Sequence, residues 1–222
     1  AARGQMGQQL MAIVAETSAG TKFLVPDAAS ETTAISAEPK WRPELSLSPD
    51  RRAFTPPDYG MPTFGDLHTT RQLCTLDCLS EVLSTVRAKI MEDARENGRD
   101  DGVPLSSGGT GATAYADAII VYLAFMVDKC ADYSSSLCGW IPQLNAVRNT
   151  FARQVLPITW DFVEVNPFSG RVGSFDSMAK WVVKAIEQFV PASKGTLIQS
   201  DAQTVSFPEG VVISTDTPYY DK

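Results

Sequence analysis

The sequence has few of the residues that build metal sites. It contains one histidine, His68, and four cysteines. Cys74 and Cys78 lie four positions apart, and Cys130 and Cys138 lie eight apart, so neither pair has the two-residue gap of a zinc knuckle. The simplest interpretation is a set of reduced thiols in the protein interior, and we expect no metal site.

Long hydrophobic runs and a secretion signal are also lacking. The longest apolar run, residues 118–127, is far too short to span a bilayer. The N-terminus has no charged segment followed by an apolar one, which is the pattern of a signal peptide. These absences predict a cytoplasmic protein without a membrane partner.

The third shortage is positive charge. Lys and Arg number 19 against 26 Asp and Glu, which gives a formal net charge of −7. A chain of this charge repels polyphosphates, so composition alone argues against a nucleic-acid-binding module. This argument counts less if a basic nucleic-acid-binding surface lies elsewhere in a larger protein.

Turn residues and apolar periodicity divide the chain into regions. Residues 1–25 are expected to form a short β-hairpin with strands at 10–15 and 22–25. Residues 26–62 are rich in proline, serine and threonine, which predicts an extended connector. The chain from 63 to 190 is expected to be helical.

Four helices are expected in this helical region. Thr69 and Gln72 fit a capping box at the start of the first, and Gly98 suits its C-terminal cap. In the expected helices apolar residues recur every three or four positions, which places them on one face. The other three helices are expected after the loop at 106–111, over about 142–155, and over 174–189, the last with a buried stripe at Met178, Trp181, Val182, Ala185, Ile186 and Phe189.

The glycine-rich loop at 108–111 allows two interpretations. Helix N-termini attract anions, so the loop could hold a phosphate. It has no Gly-Lys-Thr/Ser ending and no strand leads into it. A flexible linker capped by Thr110 or Thr113 is the favoured interpretation.

Residues 191–222 change in character. Short β-branched runs at 196–199 and 211–214 predict two strands separated by a turn. Helices followed by strands are typical of an α/β unit with a parallel sheet. Ligands of such sheets lie at the carboxyl ends of the strands, and the second run leads directly to Asp216.

The residues from Asp216 to Tyr219 suit the methylation of an exocyclic amine. Such an amine is a poor nucleophile because its lone pair is delocalised into the base. A carboxylate and a backbone carbonyl that each accept one amine hydrogen would expose the lone pair. A flat aromatic ring would stack on the base once the base is flipped out of its nucleic-acid duplex. Pro218 biases Thr217 away from helical geometry, which aims the Thr217 carbonyl outward.

This segment resembles the Asp-Pro-Pro-Tyr motif of DNA amino-methyltransferases, and the wider chain resembles a family of large adenine-specific DNA methylases. The resemblance spans residues 62 to 221, which is far more than one short motif. Its stretches are Pro62-Thr63-Phe64-Gly65-Asp66-Leu67 with Arg71-Gln72-Leu73, Gly109-Thr110-Gly111-Ala112 with Tyr115-Ala116, Tyr122-Leu123-Ala124-Phe125, Asn149-Thr150-Phe151-Ala152-Arg153-Gln154, Trp160-Asp161-Phe162 with Asn166-Pro167-Phe168-Ser169, and residues 215–221.

The resemblance implies a fold, a cofactor and a set of roles. The fold is α/β, a helix-rich and incomplete Rossmann-like methyltransferase segment. The cofactor is S-adenosyl-L-methionine, and the substrate is the exocyclic amine of adenine in DNA, with that of cytosine also permitted. Asp216 accepts from the amine, Thr217 offers its carbonyl ahead of Pro218, Tyr219 stacks on the base, and Asp201 contacts the adenine moiety of the cofactor.

The sequence departs from the family pattern in two places. Thr217 replaces the first proline of the motif, and the Phe-x-Gly-x-Gly cofactor loop is absent. We therefore expect an internal fragment that is inactive alone and reaches DNA through the full-length protein. One alternative is a non-catalytic interaction or spacer module of a DNA modification or defence system. Another is a methyltransferase of RNA or protein.

Overall fold

The computed structural model describes residues 7–189, 195 and 198–216. The chain forms two units, Ala1–Glu187 and Gln188–Lys222. The elements are β1 (Ile13–Thr17), β2 (Gly20–Leu24), α1 (Ala28–Ile35), α2 (Thr70–Glu96), α3 (Gly111–Asp132), β3 (Trp140–Ile141), β4 (Ala146–Val147) and α4 (Phe175–Gln188). Short 3₁₀ helices cover Pro56–Tyr59, Phe64–Leu67 and Leu105–Ser107. The fold is therefore mixed helix and strand.

The N-terminal hairpin is confirmed. Strands β1 and β2 pair antiparallel from Ile13 opposite Leu24 to Thr17 opposite Gly20. Gly20 turns the chain at φ +108°, where glycine is favoured.

The prediction of an extended connector over residues 26–62 is wrong in part. Its first residues form α1, because Asp27 caps the helix by accepting from the Ser30 amide at 2.8 Å. The prolines at 56 and 57 start a 3₁₀ helix. The first residues of a helix donate no hydrogen bond within it, so the missing proline amides cost nothing there.

Helix α2 confirms the capping box. The Thr69 amide donates to Gln72 Oε1 at 2.8 Å, and the Gln72 amide donates to Thr69 Oγ1 at 3.2 Å. Gly98 follows the helix end at φ +82°. Arg87 on α2 forms an ion pair with Asp117 on α3, which ties the two long helices together.

Helices α2, α3 and α4 pack around one apolar cluster. Met126 and Cys130 of α3 and Met178 of α4 are buried at its centre. Leu76 and Leu79 of α2 pack against them. By length and composition alone α3 could cross a membrane, but a core helix of a soluble protein passes the same test. The prediction of no membrane partner stays a prediction.

A second cluster lies beneath the irregular segments. Leu47, Leu67, Leu137 and Leu156 are buried together. Two isolated β-bridges, Ser46 with Thr63 and Phe54 with Leu156, hold these segments in place.

The helix expected over 142–155 is wrong. Strands β3 and β4 form a small hairpin there, turning at Asn145 with φ +45°. The chain then follows loops to Leu156. Asn accepts the left-handed region more readily than most residues, so Asn145 can turn the chain within the expected helix.

Helix α4 is confirmed, but its stripe is only partly buried. Met178 is buried, whereas Trp181 is 66% exposed and Phe189 73% exposed. Val182 packs partly against α2 and α3. The N-terminal half of the apolar face is thus covered, and the rest is open.

The sheet expected over 191–222 is not formed by the residues that the structure describes. Residues 198–199 and 211–214 have no strand pairing, and 196–197 lie outside the described residues. The described residues thus form no strand over 211–214, and the expected methyltransferase sheet stays a prediction. Because a strand needs a hydrogen-bonded neighbour, β-branched sequence alone does not create one. The two small sheets do not make a Rossmann-like fold.

Candidate functional site

Asp216 is the one catalytic residue of the predicted set that the structure describes. It is exposed and follows an exposed apolar run, in which Val212 is 97% exposed. The predicted partners Thr217, Pro218 and Tyr219 lie outside the described residues. Their mutual geometry therefore stays a prediction.

Asp201, the predicted cofactor contact, makes a local turn. Its Oδ1 accepts from the Gln203 amide at 2.9 Å, and its carbonyl accepts from the Thr204 and Val205 amides. This is the turn chemistry that Asp commonly supplies. Nearly all of the described residues from 198 to 216 are exposed, so by themselves they do not form a pocket that fits S-adenosylmethionine.

Two open clefts occur elsewhere, and neither is lined by Asp201 or Asp216. The first, of about 760 Å³, lies between α1, Arg71 and Asn166. Arg71 already pairs with Glu164, through Nε to Oε2 at 2.8 Å. The second, of about 390 Å³, lies between the end of α2 and the start of α3. Neither has the enclosure of a cofactor site.

The glycine-rich loop before α3 offers no free anion site, because its last amides are hydrogen-bonded to an earlier segment. The amides of Ala112 and Thr113 donate to the carbonyls of Asp100 and Asp101, at 2.7 and 3.0 Å. A Cβ at Gly111 would come within 2.7 Å of the Asp100 oxygen. Backbone packing thus occupies the amides that a phosphate would need, and the expected cap by Thr110 or Thr113 side chains is replaced by these carbonyls.

The cysteines are free thiols in different environments. Cys130 and Cys138 are buried, as expected, and burial raises the pKa of Cys130 to about 11. Cys78 is exposed, so the expectation of interior thiols is wrong for it. No group of three or more His, Cys, Asp or Glu that could hold a metal ion occurs within the described part of the chain.

His68 is partly buried and holds a structural hydrogen bond. Its Nδ1 lies 2.5 Å from the Ser134 carbonyl oxygen, so Nδ1 carries the proton and donates. Burial lowers the pKa of His68, and the bond to Ser134 opposes this shift. The imidazole therefore positions the chain after α3.

Sequence reasoning missed a polar cluster at the C-terminal end of α3. The Asp132 carboxylate accepts from Asn149 Nδ2 at 3.0 Å, from the Phe151 amide at 3.0 Å and from Lys129 Nζ at 3.1 Å. The Asp132 carbonyl also accepts from the Thr150 amide at 2.7 Å. One carboxylate thus fixes the start of a loop, which we define as residues 148–160.

The polar cluster continues into the interior. Ser135 Oγ lies 2.7 Å from Thr150 Oγ1, and Cys138 Sγ lies 3.4 Å from the same oxygen. Ser135 and Cys138 are fully buried. The hydroxyls are mutually satisfied, so the cluster is a structural anchor for the 148–160 loop.

The 148–160 loop is also held near its far end. The Leu156 amide donates to the Ala53 carbonyl at 2.7 Å, and the Thr55 amide donates to the Leu156 carbonyl at 3.2 Å. Along this loop the side chains of Arg148, Phe151 and Arg153 are exposed. The sequence signal that could have identified this loop is charge: residues 133–160 contain no Asp or Glu.

No protein-family model, curated protein or solved structure matches the chain. Membership of a methylase family therefore stays a prediction from the motifs.

Proposed function

We propose that this chain is a segment of an S-adenosylmethionine-dependent DNA amino-methyltransferase and contributes its catalytic loop. The carrying observation is the Asp216-Thr217-Pro218-Tyr219 segment together with the resembling stretches that extend back to residue 62. Chance can produce one short motif, but an ordered series over most of the chain is much harder to produce by chance.

The surroundings of Asp216 support this proposal. Val211, Val212 and Ile213 precede it and are all exposed. Three consecutive β-branched residues are typical of a strand buried in a parallel sheet. Their exposure fits a strand whose sheet neighbours belong to other parts of a longer polypeptide. In such a sheet Asp216 would stand at the carboxyl end, where ligands bind.

The resembling stretches also contain some of the buried residues of the first unit. Leu67, Leu73, Ala112 and Ala116 are buried, and so is Thr150 in the polar cluster. These stretches therefore contribute to the packing of the first unit, together with residues outside them. A resemblance at such positions concerns the fold as well as the motif.

The chemistry requires Asp216 to be ionised and accessible to a base. Its carboxylate would accept a hydrogen from the exocyclic amine, while the Thr217 carbonyl accepts the other. The cofactor would supply the methyl group. Because the residues around Asp201 form no cofactor pocket by themselves, binding of the cofactor needs further residues of the same polypeptide.

The test is methyl transfer by the polypeptide extended on both sides of this chain. Purified protein is incubated with unmethylated DNA and cofactor labelled in the methyl group, and label in DNA is counted. Asp216→Ala removes the acceptor and should abolish transfer while leaving the melting temperature unchanged, because the side chain is exposed. Glu209→Ala is the matched control, since Glu209 is an exposed carboxylate seven residues earlier. Equal activity in the two variants would remove Asp216 from the reaction.

The runner-up is a non-catalytic interaction module, and α4 favours it. The apolar face of α4 continues past its docked half, leaving Trp181, Ile186 and Phe189 exposed. Thr217 in the motif is also consistent with a decayed loop. If the extended polypeptide methylates no DNA and Thr217→Pro creates activity, the catalytic loop is decayed and this second function is favoured. Activity of the native sequence would exclude it.

A further inference from the structure

The arginines of the described chain divide into two groups. Seven of them form ion pairs with carboxylates: Arg42, Arg51, Arg52, Arg71, Arg87, Arg95 and Arg171. Arg99 lies over the Tyr115 ring at 4.5 Å. Arg148 and Arg153 have no carboxylate partner among the described residues, and both are exposed. Both belong to the 148–160 loop.

The charge around this loop differs from that of the whole molecule. The chain carries −7, yet residues 133–160 contain two arginines and no carboxylate. Asp132 approaches the start of the loop, where Lys129, Asn149 and the Phe151 amide already occupy its carboxylate. Asp161 is exposed directly after the end of the loop, so the positive charge belongs to the stretch from Arg148 to Arg153.

Exposed aromatic rings accompany the arginines. Phe151 is 53% exposed and lies between Arg148 and Arg153 in sequence. Trp160, at the end of the loop, is 68% exposed and makes an edge contact with Tyr59 at 5.6 Å. Leaving such rings in water is unfavourable, and proteins that bind unpaired nucleic acid use rings of this kind to stack bases.

The anchors make this surface preorganised. Asp132 fixes the backbone at 149–151, and the bridge between Phe54 and Leu156 fixes it further on. Arg148 and Arg153 are five positions apart, so their Cα atoms lie within roughly 18 Å of each other even at full extension. Both guanidinium groups can therefore reach phosphates of one short strand.

We propose that the 148–160 loop binds single-stranded or locally unpaired DNA, with Arg148 and Arg153 on phosphates and Phe151 stacked on a base. The choice of DNA rests on the proposed function. An enzyme that extrudes a base leaves unpaired DNA beside its site, and stacking is the sequence-tolerant way to hold such a strand.

The probe is a fluorescein-labelled single DNA strand of about 16 nucleotides, which is the upper end of the site sizes of single-strand-binding domains. Its binding to the 222-residue chain is measured by anisotropy over a series of salt concentrations. Arg148→Gln with Arg153→Gln should reduce the salt slope by about 1.4, because each phosphate contact on a single strand contributes about 0.7. The same slope implies roughly 20-fold weaker binding at about 0.1 M salt.

Each change has a matched control. Lys180→Gln with Lys184→Gln removes the same charge from exposed positions of α4, and should leave the affinity within about twofold. Phe151→Ala should weaken binding about fivefold or more, whereas Phe23→Ala, at an exposed ring of the hairpin, should not. All these side chains are exposed, so circular dichroism and melting should match the native chain.

Several outcomes would overturn the proposal. They are equal effects of the arginine and lysine pairs, tighter binding of RNA or duplex DNA than of the single DNA strand, and no detectable binding at low salt. The methyl-transfer assay tests the proposed function independently of this binding assay. Loop-dependent binding with an inactive extended polypeptide would overturn the proposed function alone, and methylation with loop-independent binding would overturn this inference alone.

Discussion

Replacing Asp132 by Ala should destabilise the protein by about 3 kcal/mol. The Asp132 carboxylate accepts two hydrogen bonds of 3.0 Å from the 148–160 loop, one from Asn149 Nδ2 and one from the Phe151 amide. Each bond to a charged group contributes about 1.5 kcal/mol or more. The pair with Lys129 adds less than about 1 kcal/mol, because the lysine side chain is 53% exposed. Asp132→Asn keeps an acceptor oxygen, so about half of the loss is expected.

Equilibrium unfolding in urea measures this loss, with the slope against urea concentration expected to stay constant. Asp128→Ala is the matched control, because Asp128 is an exposed residue of the same helix and should change stability by less than about 0.5 kcal/mol. Hydrogen exchange adds a local readout, since the Phe151 amide should lose protection in Asp132→Ala. If the two alanine variants are equally stable, the carboxylate does not anchor the loop and the reasoning is refuted.

Three further predictions concern single residues. Gly111→Ala should destabilise by about 3 kcal/mol, because its Cβ would meet backbone, whereas Gly98→Ala, with the same positive φ in open space, should lose only about 1 kcal/mol in urea unfolding. Burial lowers the pKa of His68, so below about pH 6.5 the unfolded chain binds more protons than the folded chain. The free energy of unfolding should therefore fall as the pH drops below that value, and His68→Gln should remove this part of its pH dependence. Iodoacetamide should label Cys78 in the native protein and Cys130 only after unfolding, as mass spectrometry of peptides would show; fast native labelling of Cys130 would contradict its burial.

The long helices could be predicted because their signals are local. The Thr69 and Gln72 capping box lies within one turn, and Gly98 ends the helix by its own freedom at positive φ. The hairpin at Gly20 is local in the same sense. Each of these features depends on residues that are close in sequence.

The 148–160 loop could not be predicted because its determinants are distant. Asp132 attracts the amides of Thr150 and Phe151 across almost twenty positions, and Leu156 pairs with a segment about a hundred positions earlier. Such partners override the helical periodicity that residues 142–155 show. Distant partners also decide the burial of α4. Its apolar spacing predicted a buried stripe, but the spacing does not show how much of the helix α2 and α3 cover.

The candidate site stays a prediction, because the structure does not bring its residues together. Asp201 forms a turn with Gln203, which is the ordinary use of an Asp after an apolar run. Asp216 is exposed beside apolar residues, and its expected strand needs neighbours that the described residues do not supply. A short motif suggests residue roles, but it does not contain the sheet that would position those residues.

The central claim is that Asp216 activates an exocyclic amine of DNA, and nucleoside mass spectrometry of DNA from cells that produce the extended polypeptide tests it most directly. The account predicts N6-methyldeoxyadenosine, or N4-methyldeoxycytidine, with the native sequence and with Glu209→Ala, and neither nucleoside above background with Asp216→Ala. Undiminished methylation by Asp216→Ala, or no methylated amine with the native sequence, would contradict it.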